Sequence, residues 1–202
     1  MTFFGPRERS SPFSKGMLQR RKMLALLLIN RFSIVFANIE YDLLWDATII
    51  NAQAWRSANQ KRVTVYGGLA RYPSVTASGL ALILAHETGH HLGGRPLDPD
   101  LRWPTWQGQA DYWAAAEGMP KVFGPKARRM TFRGAEQIAA LHAEFCDEGD
   151  EPEISSIERT AIFRAGALGE AAPVCLQTIF SRMMEARREM NLEPTIEIDH
   201  VR

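Results

Sequence analysis

The run Gly79–Gly94, GLALILAHETGHHLGG, constrains this chain more than any other stretch. Its composition is strongly helical. Thr76 and Ser78 supply capping side chains at its start, and Gly93-Gly94 followed by Pro96 is a stop signal at its end. A helix is therefore expected from Thr76 or Ser78 to the glycine pair. It holds three of the five histidines. His86 and His90 are four apart, so on a helix they share a face with Cβ atoms about 5 to 6 Å apart, and both imidazoles can reach one ion. Glu87 is turned about 100° from His86, close enough to take a proton from a water at that ion without itself being a ligand. The pattern predicts a metal held by His86 and His90, with Glu87 as general base. His91 points away from His90 and is expected to be packed or at the surface. The isolated His142 and His200 are read the same way.

A third ligand must come from elsewhere. A further histidine six residues beyond His90 would mark one large class of metallopeptidases, but Pro96 occupies that position. After the loop Arg95–Pro104, a second helix is expected over about Thr105 to Glu117, ended by Gly118 and Pro120. It offers Gln107 and Asp111, four apart on one face, and Glu117, read as a solvated charge. Spacing leaves Gln107 and Asp111 both open as metal ligands.

Around this pair of helices the pattern changes along the chain. Ile39 to Trp55 mixes β-branched, aromatic and polar residues and predicts two short strands about a turn near Asp46. Arg62 to Tyr66 alternates as a half-buried strand does, ending at Gly67-Gly68. Beyond Gly134, helices are expected near Ala135–Glu144, Ser155–Leu168 and Val174–Met190. Strands early and helices late predict an α+β fold. With 202 residues, 46% of them hydrophobic, the chain suffices for one well-buried core. The expected organisation is a leader over residues 1–16 and one domain over 17–202.

The 24 Lys and Arg against 23 Asp and Glu leave a formal charge of +1, which gives no global attraction to nucleic acid. The basic run Lys121–Arg133 is read as solvated surface, and no nucleic-acid partner is expected. From Met17 a basic start leads into an apolar stretch. It reads either as a signal-like segment or as a helix packed on the domain before the first strand, and its clean apolar run, Met23–Ile29, is too short to span a bilayer. Cys146 and Cys175 form no C-x-x-C pair; they would bridge if the chain is exported and are otherwise buried thiols.

The segments INAQAW (50–55), VTVYGGLAR (63–71), the motif run and GQADYWAA (108–115) together resemble, in order and spacing, the core of the gluzincin zinc metallopeptidases of the HtpX and CAAX-prenyl-protease type. The likeness is closer to their compact, soluble bacterial relatives, often secreted or periplasmic, and it covers about Ile39 to Ala116. It implies a small zincin-like domain with an antiparallel or mixed sheet. It also implies a zinc ion on His86 and His90, a supporting carboxylate at Asp111, and an edge strand, Val63–Tyr66, that pairs with an extended peptide or unfolded protein. Where the family carries its ligand glutamate, this chain has Gln107. Two function classes follow: a working zinc endopeptidase, or a pseudopeptidase that keeps the cleft with a weakened metal site. A structural zinc site is disfavoured, because such sites take four protein ligands and have no adjacent base. Tyr66 and Tyr112 are further candidates, as donors to a developing oxyanion. Oligomeric state is not legible.

Overall fold

The structure, a computed structural model, describes residues 13–58, 60–145 and 154–189; the side chain of Cys175 is also outside it. The expectations for Cys146, Cys175 and His200 therefore lie outside the described residues. An α+β fold results, as expected.

Helix α1 spans Lys15–Val35, so it begins inside the stretch read as leader, with the Ser14 hydroxyl accepting from the Met17 N–H. One face, Ala25, Leu28, Ile29 and Phe32, is buried in the core. The Arg21 guanidinium donates to the carbonyls of Ala70, Tyr72 and Val75. The apolar N-terminal stretch forms a helix with one face packed on the domain.

Strands β1 (Ile39–Leu44), β2 (Ala52–Ser57) and β3 (Gln60–Tyr66) form a mixed sheet in the order β1-β3-β2, with β1 parallel and β2 antiparallel to β3. The turn at Trp45-Asp46 is where it was expected, but the strands on either side of it pair with β3 rather than with each other. This corrects the reading of Val63–Tyr66 as an edge strand. It is the central strand, bonded on both sides, and Val63, Thr64 and Val65 are all buried rather than alternately so. Thr64 is buried because its own face is covered as well, by Trp55, whose indole N–H donates to the Thr64 hydroxyl.

After a single turn, α2 (Gly67–Ala70), comes α3 (Ala77–Leu92), with the Thr76 hydroxyl accepting from the Ser78 N–H. Every residue of α3 from Ser78 to His91 is buried. Helix α4 (Gln107–Trp113) packs against it closely enough that a Cβ at Gly89 would stand 2.9 Å from the Ala110 carbonyl oxygen. Any larger residue at Gly89 would push the two helices apart.

The second expected helix differs at both ends. It starts at Gln107, because Thr105 is held in a bridge with Leu97, and it does not stop at Gly118. Instead Ala114–Gly118 forms a π-turn, with Met119 N–H donating to Ala114 O, and α5 (Met119–Phe123) follows. Pro120 has no N–H and would drive its ring against a carbonyl in a continued α-helix; widening the turn before it lets the chain pass.

Helix α6 (Ala127–Phe145) begins eight residues ahead of expectation, so most of the basic run Lys121–Arg133 lies on α5 and the start of α6. Helices α7 (Ser156–Leu168), opened by a Ser155–Glu158 capping box, and α8 (Val174–Glu189) complete the described chain. They enclose a second apolar cluster around Trp106, Ile154, Ile162, Leu176 and Ile179. Among the described residues no helix is long and apolar enough to cross a membrane.

Candidate metal centre

Because α3 is covered on all sides, its polar side chains are held in the interior, where each must be satisfied or stand ready for a ligand. His86, Glu87 and His90 are at most 1% exposed. The two imidazole centroids are 4.5 Å apart, and the ligand atoms of these three residues lie within 4.8 Å of one another.

Both histidines are held from behind through Nδ1. His86 Nδ1 is 2.6 Å from Asp111 Oδ1, and His90 Nδ1 is 2.7 Å from the Thr105 carbonyl oxygen. A carbonyl can only accept, so His90 carries its proton on Nδ1 and turns the Nε2 lone pair the other way. The carboxylate of Asp111 sets the same tautomer for His86. Burial lowers the pKa of both rings, and for His90 the neighbouring His86 lowers it further. Both are therefore neutral near pH 7, the form that binds metals.

Glu87 divides its two oxygens. Oε2 accepts from the Ala54 N–H of β2 at 2.7 Å, while Oε1 is buried without a hydrogen-bond partner. Burial pushes this carboxyl up to about 8. A cation beside it would bring it down and restore the ionised base. Gln107, at the first position of α4, lies beside His86 and acts to raise that imidazole's pKa, and its own Oε1 is a further buried acceptor with no partner.

Asp111, open as a ligand on spacing, is committed elsewhere. Oδ1 meets His86 and Arg159 Nη2 (2.7 Å), and Oδ2 accepts from Arg159 Nε (2.8 Å). Burial raises the Asp111 carboxyl, but Arg159 and His86 outweigh that and leave it below the usual carboxylate value. It is an ionised clamp behind His86, so of the two open candidates only Gln107 presents an unpartnered oxygen.

Sequence reading missed Arg159 and passed over His142. The Arg159 guanidinium comes from α7, is 5% exposed, grips Asp111 in a bidentate pair, and places Nη1 2.9 Å from His142 Nε2 on α6. Its signal was present: Arg159 precedes Ile162, Phe163 and Gly166 on the stripe of α7 that is buried. A cation on an apolar stripe requires a buried anion.

The remaining candidates stand apart. Tyr66 donates its hydroxyl to Gln53 and Tyr112 to the Glu170 carbonyl, so neither hydroxyl serves as an oxyanion donor. Glu117 is exposed and pairs with Lys121. His91 is packed, stacked on Trp103, with Nε2 2.9 Å from the Arg62 carbonyl oxygen.

Compared with family models, curated proteins and solved structures, the chain has no match in any of the three.

Proposed function

We propose that this chain is a zinc-dependent endopeptidase in which His86, His90 and Gln107 hold the ion and Glu87 is the general base. One observation carries the reading. His90 Nε2, Glu87 Oε1 and Gln107 Oε1 are three buried polar atoms without hydrogen-bond partners on residues that neighbour His86, and His90 and Glu87 are each held from behind through their other polar atom. Unsatisfied groups of this kind cost about 1 to 3 kcal/mol each, and a cation taking the His90 lone pair and the Gln107 oxygen, beside an ionised Glu87, would offset that cost. Their chemistry fits zinc, which accepts imidazole nitrogen and amide or carboxylate oxygen. When bound, zinc would supply Lewis-acid polarisation of a carbonyl and lower the pKa of a water.

The chain's own groups supply the rest. Ala54 N–H holds Glu87 Oε2, which fixes the carboxylate and leaves Oε1 to receive the proton of the attacking water and pass it to the leaving amine. Substrate alignment falls to β2. Asn51 O accepts from Tyr66 N–H, so by the register of the pair the backbone groups of Ala52, Ala54 and Arg56 point away from β3. That outer side runs past Glu87, where the Ala52 and Ala54 N–H groups are already taken by Asn51 Oδ1 and Glu87 Oε2, so an extended peptide or unfolded protein would add as a further strand chiefly along Arg56.

A second reading, a peptide-binding module with poor metal occupancy, is favoured by Gln107, because a neutral amide compensates the ion's charge less than a carboxylate does. Metal analysis of protein purified without added metal, paired with an assay on an unstructured protein, separates the two. About one zinc per chain, with cleavage that disappears in Glu87→Gln while the metal stays, supports the enzyme. Little or no zinc, even after incubation with it, and no cleavage would sink the enzyme and favour the binding module. A full zinc ion per chain without cleavage would sink both.

A further inference from the structure

Helix α1 is apolar on two opposite faces, and the fold uses only one. At 100° per residue, Ala25, Leu28, Ile29 and Phe32 form the stripe buried against the core. Met23, Leu27 and Ile34 lie on the opposite side and are 56%, 57% and 71% exposed, flanked by Leu26 and Val35 at 41% and 40%. Large contiguous apolar faces of this kind mark interaction sites.

Charge says what the partner is. Helix α1 carries five basic residues, Lys15, Arg20, Arg21, Lys22 and Arg31, and no acidic one, whereas the whole chain has a net charge of only +1. The rest of the chain is therefore net acidic by four. Arg21 is turned inward onto three carbonyls, but Arg20 and Arg31 are exposed and lie roughly 40 to 60° around the helix from the middle of the apolar stripe, along one flank. Two copies laid face to face would bring these like charges together without an acid on either helix to offset them. A bilayer surface with anionic headgroups meets both features at once, taking up apolar side chains at the acyl boundary and pairing arginines with phosphate. The net acidic remainder of the chain would be repelled, which selects one orientation.

We infer that the outer face of α1 docks the protein on an anionic lipid surface, the helix lying in the plane of the interface rather than crossing it. This does not rest on the peptidase reading. Flotation of the full chain with vesicles of phosphatidylcholine alone, or of phosphatidylcholine mixed with phosphatidylglycerol, is the test. The protein should float with the mixed vesicles at low salt, and high salt or omission of the anionic lipid should release it. In Leu27→Ser/Ile34→Ser and Arg20→Gln/Arg31→Gln binding should fall about tenfold or more; Arg31 also lies over the Phe123 ring, so helix content and thermal midpoint are measured beside the parent, and Arg20→Gln alone, which leaves that contact intact, should still weaken binding. No flotation with anionic vesicles, or equal flotation of parent and both variants, overturns the proposal. A dimer abolished by Leu27→Ser/Ile34→Ser, without vesicle binding, would also overturn it and assign the face to a second copy.

Discussion

The two sides of the histidine pair are opposites. Behind them the contacts are closed: Asp111 grips His86 and is gripped twice by Arg159, Arg159 reaches His142, and the Thr105 carbonyl holds His90. In front, acceptor atoms of His90, Glu87 and Gln107 are buried with nothing to accept from. A fold that tolerates buried polar atoms only when paired has saturated one side and left the other unsaturated. Rigidity behind and unpaired acceptors in front are what a preorganised ligand set requires.

That contrast can be broken from either side. The largest effect belongs to the front. His90→Ala and His86→Ala should each abolish zinc binding, read as metal per chain after dialysis; retained occupancy in either would show that the ion is held elsewhere. Next comes the back. Arg159→Met leaves the Asp111 carboxylate buried without its cation, and a broken buried pair costs about 3 to 5 kcal/mol, to be read from the denaturant midpoint at constant slope. A loss under about 1 kcal/mol would mean that Asp111 is solvated or held by other groups.

A pH experiment probes the same side more gently. Burial, then the Arg159 guanidinium, lowers the His142 pKa to about 4, against an ordinary 6.5 in the unfolded chain. A lowered folded value means that the unfolded state takes the proton first. His142's contribution is thus complete above about pH 6.5 and is lost as pH falls toward 4, by at most about 3 kcal/mol. His142→Gln should flatten this part of the profile relative to the parent. Parallel curves would remove His142 from the network. The smallest effect sharpens the front: Gln107→Glu supplies a charged oxygen and should tighten zinc by about tenfold or more in competition with a chelator. No gain would place residue 107 away from the ion.

How much of this was legible follows from distance along the chain. The motif helix was readable with its caps, because capping and the i, i+4 pairing of His86 with His90 are local. Asp111 and Gln107 were readable as a pair on one helix, but their division of labour was not. That division depends on Arg159, which lies 48 residues beyond Asp111 and is brought in by packing of α7 on α4 and α6. The position of β3 within the sheet was misread for the same reason. Alternation in RVTVY reports two faces, not how many neighbours a strand has. The π-turn escaped as well, since Gly118 and Pro120 read equally as a helix end and as a detour around a proline.

The two histidines also differ in what kind of atom steadies them. His86 depends on a side chain at position 111, and through it on another at 159, so a single nucleotide change can remove its support. His90 depends on the backbone oxygen of residue 105, which all twenty amino acids carry. The Thr105 side chain is constrained for another reason, being buried with its hydroxyl donating to the Gly94 carbonyl, so what position 105 must preserve is the course of the loop rather than a group aimed at the histidine. Positions 111 and 159 should change together or not at all, so a lineage abandoning the site would lose its hold on His86 before its hold on His90.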